Sequence, residues 1–289
     1  MSPRWKTLLR RLASDRRSGA TALARLACRA AEARLQAGIR GSGDLEHFAR
    51  SLALAQPGMA PLLHLAASLA EGSPAEALER TRAFCARLEA ADRALEEAAA
   101  RFLGAGGCLL THSASSAVER ALLRAARGGA RLHVIVTESR PLREGAALAR
   151  RLARRGVSVR LVVDAAMGLA IEEADAVVVG ADALASNGLV HKVGTLPLAL
   201  LARGRNVPLW SFAQSQKFYP GPFPLERLNP PREASQVERR RPGGLAVDNR
   251  YFDLTPLGLL TGAVTEDGPL RRAALRRRLR ALRPLALLA

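Results

Sequence analysis

The 289-residue chain is short of aromatic side chains, and this shortage limits how its charge can be interpreted. Phe, Trp and Tyr make up 4% of the residues, although the formal net charge is +18. Proteins that bind single-stranded nucleic acid combine a basic groove with aromatic side chains on which the bases stack. Net charge alone indicates only solubility and non-specific association. We therefore expect no specific nucleic-acid partner, and we interpret arginine-rich stretches such as 148–156 as solvated helix faces.

Cysteine is equally scarce. Cys28, Cys85 and Cys108 lie far apart in the sequence and show no CxxC spacing, so they predict neither a disulfide framework nor a zinc site. The histidines show no HExxH spacing, and we expect no metal and no other cofactor. This composition favours a cytoplasmic location.

Long apolar runs and several catalytic signatures are also missing. No stretch is long enough to span a bilayer, and residues 1–14 lack the apolar segment of a secretory signal, so we expect no membrane association. The segment "GAGG" (104–107) precedes a predicted strand, whereas a dinucleotide-binding loop follows one. The segment "THSAS" (111–115) is not the GxSxG elbow of a serine hydrolase.

The first third of the sequence has the apolar period of amphipathic helices. The clearest helical stripe lies in residues 73–102, where Ser73 is a candidate N-cap with Glu76 as its capping-box partner. Residues 19–38 show a second helical pattern that ends at a glycine. We predict an all-helical N-terminal domain over residues 1–105.

After residue 106 the pattern changes to short β-rich runs that alternate with helical segments. The predicted strands are 108–110, 132–136, 157–163, 175–180 and 207–212, and the predicted helices between them include 116–127, 142–155 and 194–203. Strands that are apolar on both faces and alternate with helices indicate a parallel sheet covered on both sides. The fold class is therefore α/β, with a Rossmann-like, mostly parallel ligand-binding domain over residues 106–289.

Polar residues follow four of these strands, at the sheet edge where ligands bind in open parallel sheets. Ser115 or Ser116 is a candidate N-cap with Glu119 as its capping-box partner, which turns the amides of the preceding segment towards an anion. Arg140 and Lys192 supply positive charge. Asp182 follows an apolar strand, where burial would raise its pKa towards an acid/base role. Together these groups predict a pocket for a phosphorylated polyol.

Structural roles remain open for the same residues. Asp164 and Asp182 can each cap a turn. Arg140 can pair with a neighbouring glutamate, either Glu138 or Glu144. The histidines of these loops can be satisfied by hydrogen bonds within the fold.

Several motifs resemble the family that unites the α, β and δ subunits of translation initiation factor 2B with methylthioribose-1-phosphate isomerase and ribose-1,5-bisphosphate isomerase. The motifs are "LLTHSASSAVERAL", "HVIVTESRPLREGAALARRLARRGVSVRLVVDAA", "ADAVVVGADALASNGLVHKVGT" and "FDLTPLGLLTGAVTEDG". The resemblance implies a cleft between the two domains. In the isomerases, a cysteine after "TH" and the aspartate of "GAD" form the acid/base pair. Asp182 retains the aspartate, whereas Ser113 replaces the cysteine, and an alcohol is a far weaker acid than a thiol.

The resemblance also implies a set of binding residues. The expected substrate-binding residues are Arg17, Gly19, Ala20, Thr111, His112, Arg140, Glu144, His191 and Lys192. At four positions the chain departs from the isomerase pattern: Ser18 and Gln56 replace arginines, Glu144 replaces a glutamine and His191 replaces an asparagine. A carboxylate at Glu144 would repel a phosphate, so we expect the isomerase substrates to fit badly.

Three functional hypotheses follow. The first is an initiation-factor-2B-like protein that binds a phosphorylated sugar or nucleotide in a regulatory role. The second is a divergent aldose–ketose isomerase, an intramolecular oxidoreductase, with Asp182 and Ser113 as the catalytic pair. The third is a non-catalytic subunit of a translation-related assembly. The family resemblance implies a homodimer or higher homo-oligomer formed through the C-terminal domain, and we interpret the basic segment 271–285 as a terminal surface helix.

Overall fold

The computed structural model describes residues 3–15 and 18–283, and it begins with a layer of helices. The helices are α1 (Arg4–Ser14), α2 (Ala20–Gln36), α3 (Ser42–Ala55), α4 (Ala60–Ala70) and α5 (Ala77–Leu103). The predicted helical character of the N-terminal region is confirmed. The start of α5 differs from the prediction, because Ser73 makes no side-chain cap and a 3₁₀ turn precedes the helix. Glu76 reaches forward to Arg80 instead of back to Ser73.

A seven-stranded sheet forms the second layer, and it is mostly parallel, as predicted. Its strands lie in the spatial order β10-β9-β7-β4-β1-β2-β3, and only the β9–β10 pair is antiparallel. The strands are β1 (Gly106–His112), β2 (Arg131–Thr137), β3 (Ser158–Val162), β4 (Ala176–Val179), β7 (Leu209–Phe212), β9 (Gly262–Thr265) and β10 (Gly268–Arg271). The helices of this half are α6 (Ser116–Arg127), α7 (Glu144–Ala153), α8 (Met167–Ala170), α9 (Thr195–Gly204), α10 (Leu225–Leu228) and α11 (Arg272–Arg280).

A second, three-stranded antiparallel sheet was not predicted. It consists of β5 (Ala183–Ala185), β6 (Gly188–Lys192) and β8 (Phe252–Thr255), in the order β5-β6-β8. All the residues of β5 and β6 are buried. β5 has only three residues, and β5 and β6 are buried along their whole length, so no alternation of apolar and polar residues marks them in the sequence.

The two layers share their cores across the predicted boundary at residue 105. Val190 of β6 and Phe223 pack into the same apolar cluster as the N-terminal helices. The C-terminal half of α5, including Leu95 and Leu103, packs instead with β1 and α6 of the large sheet. The small sheet and α5 therefore fix the helical layer against the Rossmann-like layer, with a cleft between them.

The cysteines correct one expectation. Cys28 of α2 and Cys85 of α5 form a disulfide with their Cα atoms 6.2 Å apart. They are separated by 57 residues, and only the packing of α2 along α5 brings them together, so their spacing could not reveal the pair. The scarcity of cysteine is therefore no basis for a cytoplasmic location, which stays a prediction.

Within residues 3–15 and 18–283, no helix combines the length and the apolar character needed to cross a membrane.

Candidate functional site

A cavity opens between the two layers at the carboxyl ends of β1 and β4. It has an empty volume of about 730 Å³, counting the space open to solvent at its mouth. Its lining comes from both layers: Asp15, Ser18, Gly19, Ala20, Leu23, Gln56, Met59, Ser113, Ala114, Ser115, Ser116, Glu144, Ala181, Asp182, His191, Lys192, Lys217, Arg232, Tyr251 and Phe252.

Two helices point their N-termini into this cavity. Gly19 is the N-cap of α2, and Ser115 is the N-cap of α6, where its hydroxyl accepts a hydrogen bond from the Val118 amide at 3.4 Å. The capping box predicted for α6 does not form, because Glu119 instead binds Arg151 through two hydrogen bonds of 2.8 Å. The first amides of a helix lack partners within the helix and lie at the positive end of its dipole. Two such ends in one cavity favour an anionic ligand.

The turns that follow β1 and β2 each contain a serine in an uncommon backbone conformation. Ser113 and Ser139 have φ angles of 69° and 64°, in the left-handed region that residues other than glycine seldom adopt. The Ser113 amide donates to the Ser139 hydroxyl at 2.7 Å, and the Ser139 amide donates to the Asp164 carboxylate at 2.7 Å. These hydrogen bonds place Ser113 at the cavity wall. They also confirm the structural role expected for Asp164, whose carboxylate caps a turn.

His112 lies behind that wall and does not line the cavity. Its Nε2 donates to the Val193 carbonyl at 2.8 Å, so Nδ1 accepts from the Thr137 hydroxyl at 2.6 Å. Burial lowers the pKa of His112, and the imidazole is therefore neutral. Thr111 is likewise buried within β1 and is absent from the lining. Both residues hold the turn in place, and neither is part of the cavity lining.

Asp182 reaches the cavity at the end of β4, as its sequence position predicted. Its backbone amide donates to Val190 at 2.9 Å, which joins it to the small sheet. Among the residues that the structure describes, the carboxylate makes no side-chain hydrogen bond, so it does not act as a turn cap. Burial raises the pKa of Asp182 from its ordinary value of 3.8 to about 6, against the opposing charges of Lys217 and Lys192. Such a carboxyl exchanges its proton near neutral pH.

Lys217 is a cavity-lining residue that the sequence reasoning missed. It follows β7 and lines the cavity although it is only 3% exposed. Within the described part of the chain it forms no ion pair, and burial lowers its pKa while the charge of Asp182 partly offsets this effect. The sequence does carry a signal for it, since the polar segment "QSQK" (214–217) follows β7 as other polar segments follow their strands.

Lys192 is arranged differently. Its Nζ lies 2.9 Å from Oε1 of Glu144, with 5% and 19% of the two side chains exposed. The second oxygen of Glu144, Oε2, is buried and has no hydrogen-bond partner among the described residues. Lys192 also lies over the ring of Tyr251 at 5.1 Å. The Lys192 charge is thus already neutralised within the protein.

The remaining predicted binding residues divide between lining and non-lining positions. His191 lines the cavity, and its pKa is held well below the usual range by burial. Its Nδ1 donates to the Thr195 hydroxyl at 3.0 Å, because that hydroxyl donates its own proton to the Lys192 carbonyl. Arg140 points away, because its guanidinium donates to the Val237 carbonyl at 3.2 Å, and it does not pair with Glu138, which binds Arg143 at 3.1 Å. Gly19 and Ala20 line the cavity. Arg17 lies outside the described residues.

The described residues contain no group of three or more His, Cys, Asp or Glu side chains that could hold a metal ion. The site within residues 3–15 and 18–283 is thus a cavity of lysines, carboxylates and backbone amides.

Comparison with known proteins identifies the family. The sequence profile of the initiation factor 2 subunit family matches residues 30–272. The chain belongs to this family. It is 35% identical over 196 residues to ribose 1,5-bisphosphate isomerase of Archaeoglobus fulgidus, which covers 66% of this chain and 62% of that protein. It is 31% identical to translation initiation factor eIF2B subunit alpha of Caenorhabditis elegans over 68% of this chain and 65% of that protein.

A solved structure agrees with the fold. The translation initiation factor eIF-2B of Pyrococcus horikoshii superimposes with a TM-score of 0.82 at 30% identity, over 94% of this chain and 98% of that chain. The family resemblance inferred from the motifs and the fold class are both confirmed.

Proposed function

We propose that this member of the initiation factor 2 subunit family binds a phosphorylated sugar in the cavity between its helical and Rossmann-like layers. The observation that carries the proposal is the convergence of the α2 and α6 N-termini on a cavity that also contains Lys217. Helix N-termini and a lysine are the groups that proteins use to hold phosphate. The polar groups between the two helix ends suit the hydroxyls of a sugar.

A pentose phosphate is the first ligand to test, because the relative from A. fulgidus is named a ribose 1,5-bisphosphate isomerase. The purified protein is mixed with ribose 1-phosphate, ribose 5-phosphate, ribose 1,5-bisphosphate and AMP, and the melting temperature is followed with proton NMR on the same samples. We expect sugar phosphates to raise the melting temperature and free ribose to leave it unchanged. Equal effects of ribose and its phosphates would contradict the proposal.

Isomerisation is a second candidate function, and the raised pKa of Asp182 favours it. Converting an aldose 1-phosphate into a ketose phosphate opens the ring: the bond between C1 and the ring oxygen breaks, and that oxygen takes up a proton. A proton leaves C2 and another is added to C1, while the C2 hydroxyl loses its proton to become the ketone. A carboxyl with a pKa of about 6 can serve as both acid and base in these transfers. Ser113 lines the same wall, but an unactivated alcohol is a poor acid at neutral pH.

The same NMR samples test this candidate. If the protein is an isomerase, product signals appear, Asp182→Asn lowers turnover by about 10²–10⁴-fold, and wild-type turnover rises with pH through about 6 as the carboxylate forms. Ser113→Cys restores the thiol of the isomerase pattern and is expected to raise turnover. Ligand stabilisation without product in either protein would leave binding as the function.

For self-association, we propose a homodimer through the Rossmann-like layer. Leu161 and Val163 at the edge strand β3 and the nearby Leu169 are 44%, 55% and 75% exposed, and exposed apolar residues at a sheet edge favour association. Val163→Glu should shift the protein to a smaller species in light scattering after gel filtration. Leu54→Glu, at an exposed position of the helical layer, is the matched control and should not.

A further inference from the structure

Behind the cavity, one buried carboxylate of α5 joins the two helices that point their N-termini into it. Asp92 is only 2% exposed. One of its oxygens accepts a hydrogen bond from Arg25 of α2 at 2.7 Å, and the other accepts one from Arg120 of α6. Arg25 lies five residues after the first residue of α2, Ala20, and Arg120 lies four residues after the first residue of α6, Ser116. Both arginines are therefore within about 8 Å of their helix ends, measured along the helix axis.

The apolar contacts among these helices leave room for a further restraint. Alanine is the commonest buried residue in each of α2, α5 and α6. Alanine side chains form shallow ridges, so they lock neighbouring helices together less firmly than larger side chains do. A charged hydrogen bond, in contrast, fixes the distance and the direction between two groups. The contacts of Asp92 can therefore set how α2 and α6 are placed along α5.

Asp92 differs from the other carboxylates that bind α6 from α5. Arg124 of α6 lies 3.8 Å from Glu96 and 3.2 Å from Glu97, and Arg120 also lies 3.4 Å from Glu96. In the part of the chain that the structure describes, neither glutamate forms an ion pair with α2. The disulfide described above attaches α2 to α5 directly. Asp92 is thus the carboxylate that joins α6 to both of the other helices.

The same contact lies close to the cavity lysine. Burial lowers the pKa of Lys217, the charges of Asp182 and Asp92 raise it, and the charge of Arg120 lowers it further. Charge interactions weaken with distance and are screened by salt, so Asp92 and Arg120 lie near this lysine. A shift of α6 relative to α2 would therefore disturb the two helix ends and the surroundings of Lys217 together.

We propose that Asp92 is a positioning residue that holds the α2 and α6 ends at the separation that the phosphorylated sugar requires. The residue is outside the cavity lining, so it acts through Arg25 and Arg120. This inference rests on the proposed sugar-phosphate binding and adds the contact that sets the width of the site. Binding groups must be held to within about 0.5 Å of their working positions, which a loosened pair of helices does not provide.

The first test is calorimetric titration of two arginine variants with ribose 5-phosphate. Arg120→Gln should lower the affinity by about tenfold. Arg25→Gln should lower it by about threefold, because the disulfide still holds α2. The double variant should bind as Arg120→Gln does, since breaking either contact already disconnects α6 from α2. Independent effects would instead multiply to about thirtyfold.

The matched control is Arg124→Gln, which removes another α6 guanidinium that pairs with α5 but not with Asp92. Its side chain is 48% exposed, compared with 45% for Arg25 and 29% for Arg120. It should bind ribose 5-phosphate as wild type does. The melting temperature of each variant is measured alongside, because a merely structural role predicts that Arg120→Gln melts earlier and binds with unchanged affinity.

The pH dependence of binding gives a second readout. Asp92→Asn keeps the shape and removes the charge that raises the pKa of Lys217, so its affinity should begin to fall at a lower pH than in wild type. Arg120→Gln should move this fall to a higher pH, because Arg120 lowers the same pKa. If Asp92→Asn does not fold by circular dichroism, the two partly exposed arginines carry the test.

Wild-type affinity in Arg120→Gln, or losses in Arg25→Gln and Arg120→Gln that multiply in the double variant, would overturn the inference and leave sugar-phosphate binding intact. Absence of ribose 5-phosphate binding by wild type would refute the proposed function and this inference together.

Discussion

Each of the two lysines that line the cavity lies near a carboxylate, and the two arrangements differ in whether the lysine forms an ion pair with that carboxylate. Lys192 is in contact with Glu144 at 2.9 Å, whereas Lys217 and Asp182 affect each other's pKa without forming an ion pair in the described chain. A closed pair stabilises the structure around it. An open pair leaves two buried charged groups that a ligand can engage, at a cost in stability.

The difference has a consequence for stability that depends on pH. The pKa of Asp182 is raised in the folded state, so its contribution to stability is fully present below its unfolded pKa and is lost as pH rises through about 6. At the closed pair, removing one partner leaves the other charge buried without its counter-charge. Neutral substitutions at Asp182 and at Glu144 should therefore change the free energy of unfolding in opposite directions.

The largest expected effect is at Asp182. Asp182→Asn should raise the free energy of unfolding by about 3 kcal/mol at pH 8, since a shift of about two pKa units costs about 1.4 kcal/mol each. At pH 3 the gain should nearly vanish, because the wild-type carboxyl is then largely protonated in both states. Urea unfolding at the two pH values measures this. If Asp182→Asn were less stable than wild type at pH 8, the ionised Asp182 carboxylate would not be unfavourable in the folded state, which contradicts its raised pKa.

At the closed pair, the opposite sign is expected. Glu144→Gln should lower the free energy of unfolding by about 1–2 kcal/mol at pH 8, because the Lys192 ammonium, 4% exposed, loses its counter-charge and keeps only a neutral acceptor. Urea unfolding beside Glu138→Gln separates the loss of a buried pair from the loss of any carboxylate. If Glu144→Gln were as stabilising as Asp182→Asn, the two arrangements would not differ in the way proposed.

A smaller effect tests the electrostatic link between Lys217 and Asp182. Lys217→Met removes the opposing charge that most strongly lowers the pKa of Asp182, so this pKa should rise above about 6. Titration of the Asp182 side-chain carboxyl by carbon-13 NMR measures the shift, with Lys6→Met as a distant control. An unchanged pKa of Asp182 would mean that the two groups do not sense each other.

The sequence predicted most of the large sheet because its strands are apolar runs between helices of ordinary length. The α6 prediction, 116–127, coincides with the helix. The small sheet stayed hidden, since β5 has three residues and pairs only in the tertiary fold. Asp182 could be predicted because a polar residue ends an apolar strand. The orientation of Arg140 and the burial of His112 could not, because both depend on partners distant in sequence, Val237 and Val193.

Lys217 could have been predicted from the polar segment that follows β7, whereas the contact between Glu144 and Lys192 could be found only in the structure. The two residues are 48 positions apart, and only the meeting of α7 with the small sheet joins them. From the sequence we expected Lys192 to attract a phosphate and Glu144 to repel it. Their contact as an ion pair was not predicted.

The central claim is that a ligand phosphate is held in the cavity on which the helix N-termini converge, and Gly19 at the N-terminus of α2 offers the most direct measurement of it. Gly19 has φ −74°, which any residue can adopt, and open space at its Cβ position. Gly19→Asp and Gly19→Asn should both cap α2 well, but only the aspartate adds a negative charge at the cavity. Calorimetric titration with ribose 5-phosphate should show affinity lowered by about tenfold or more in Gly19→Asp relative to Gly19→Asn. Equal affinities in the two variants would contradict the account.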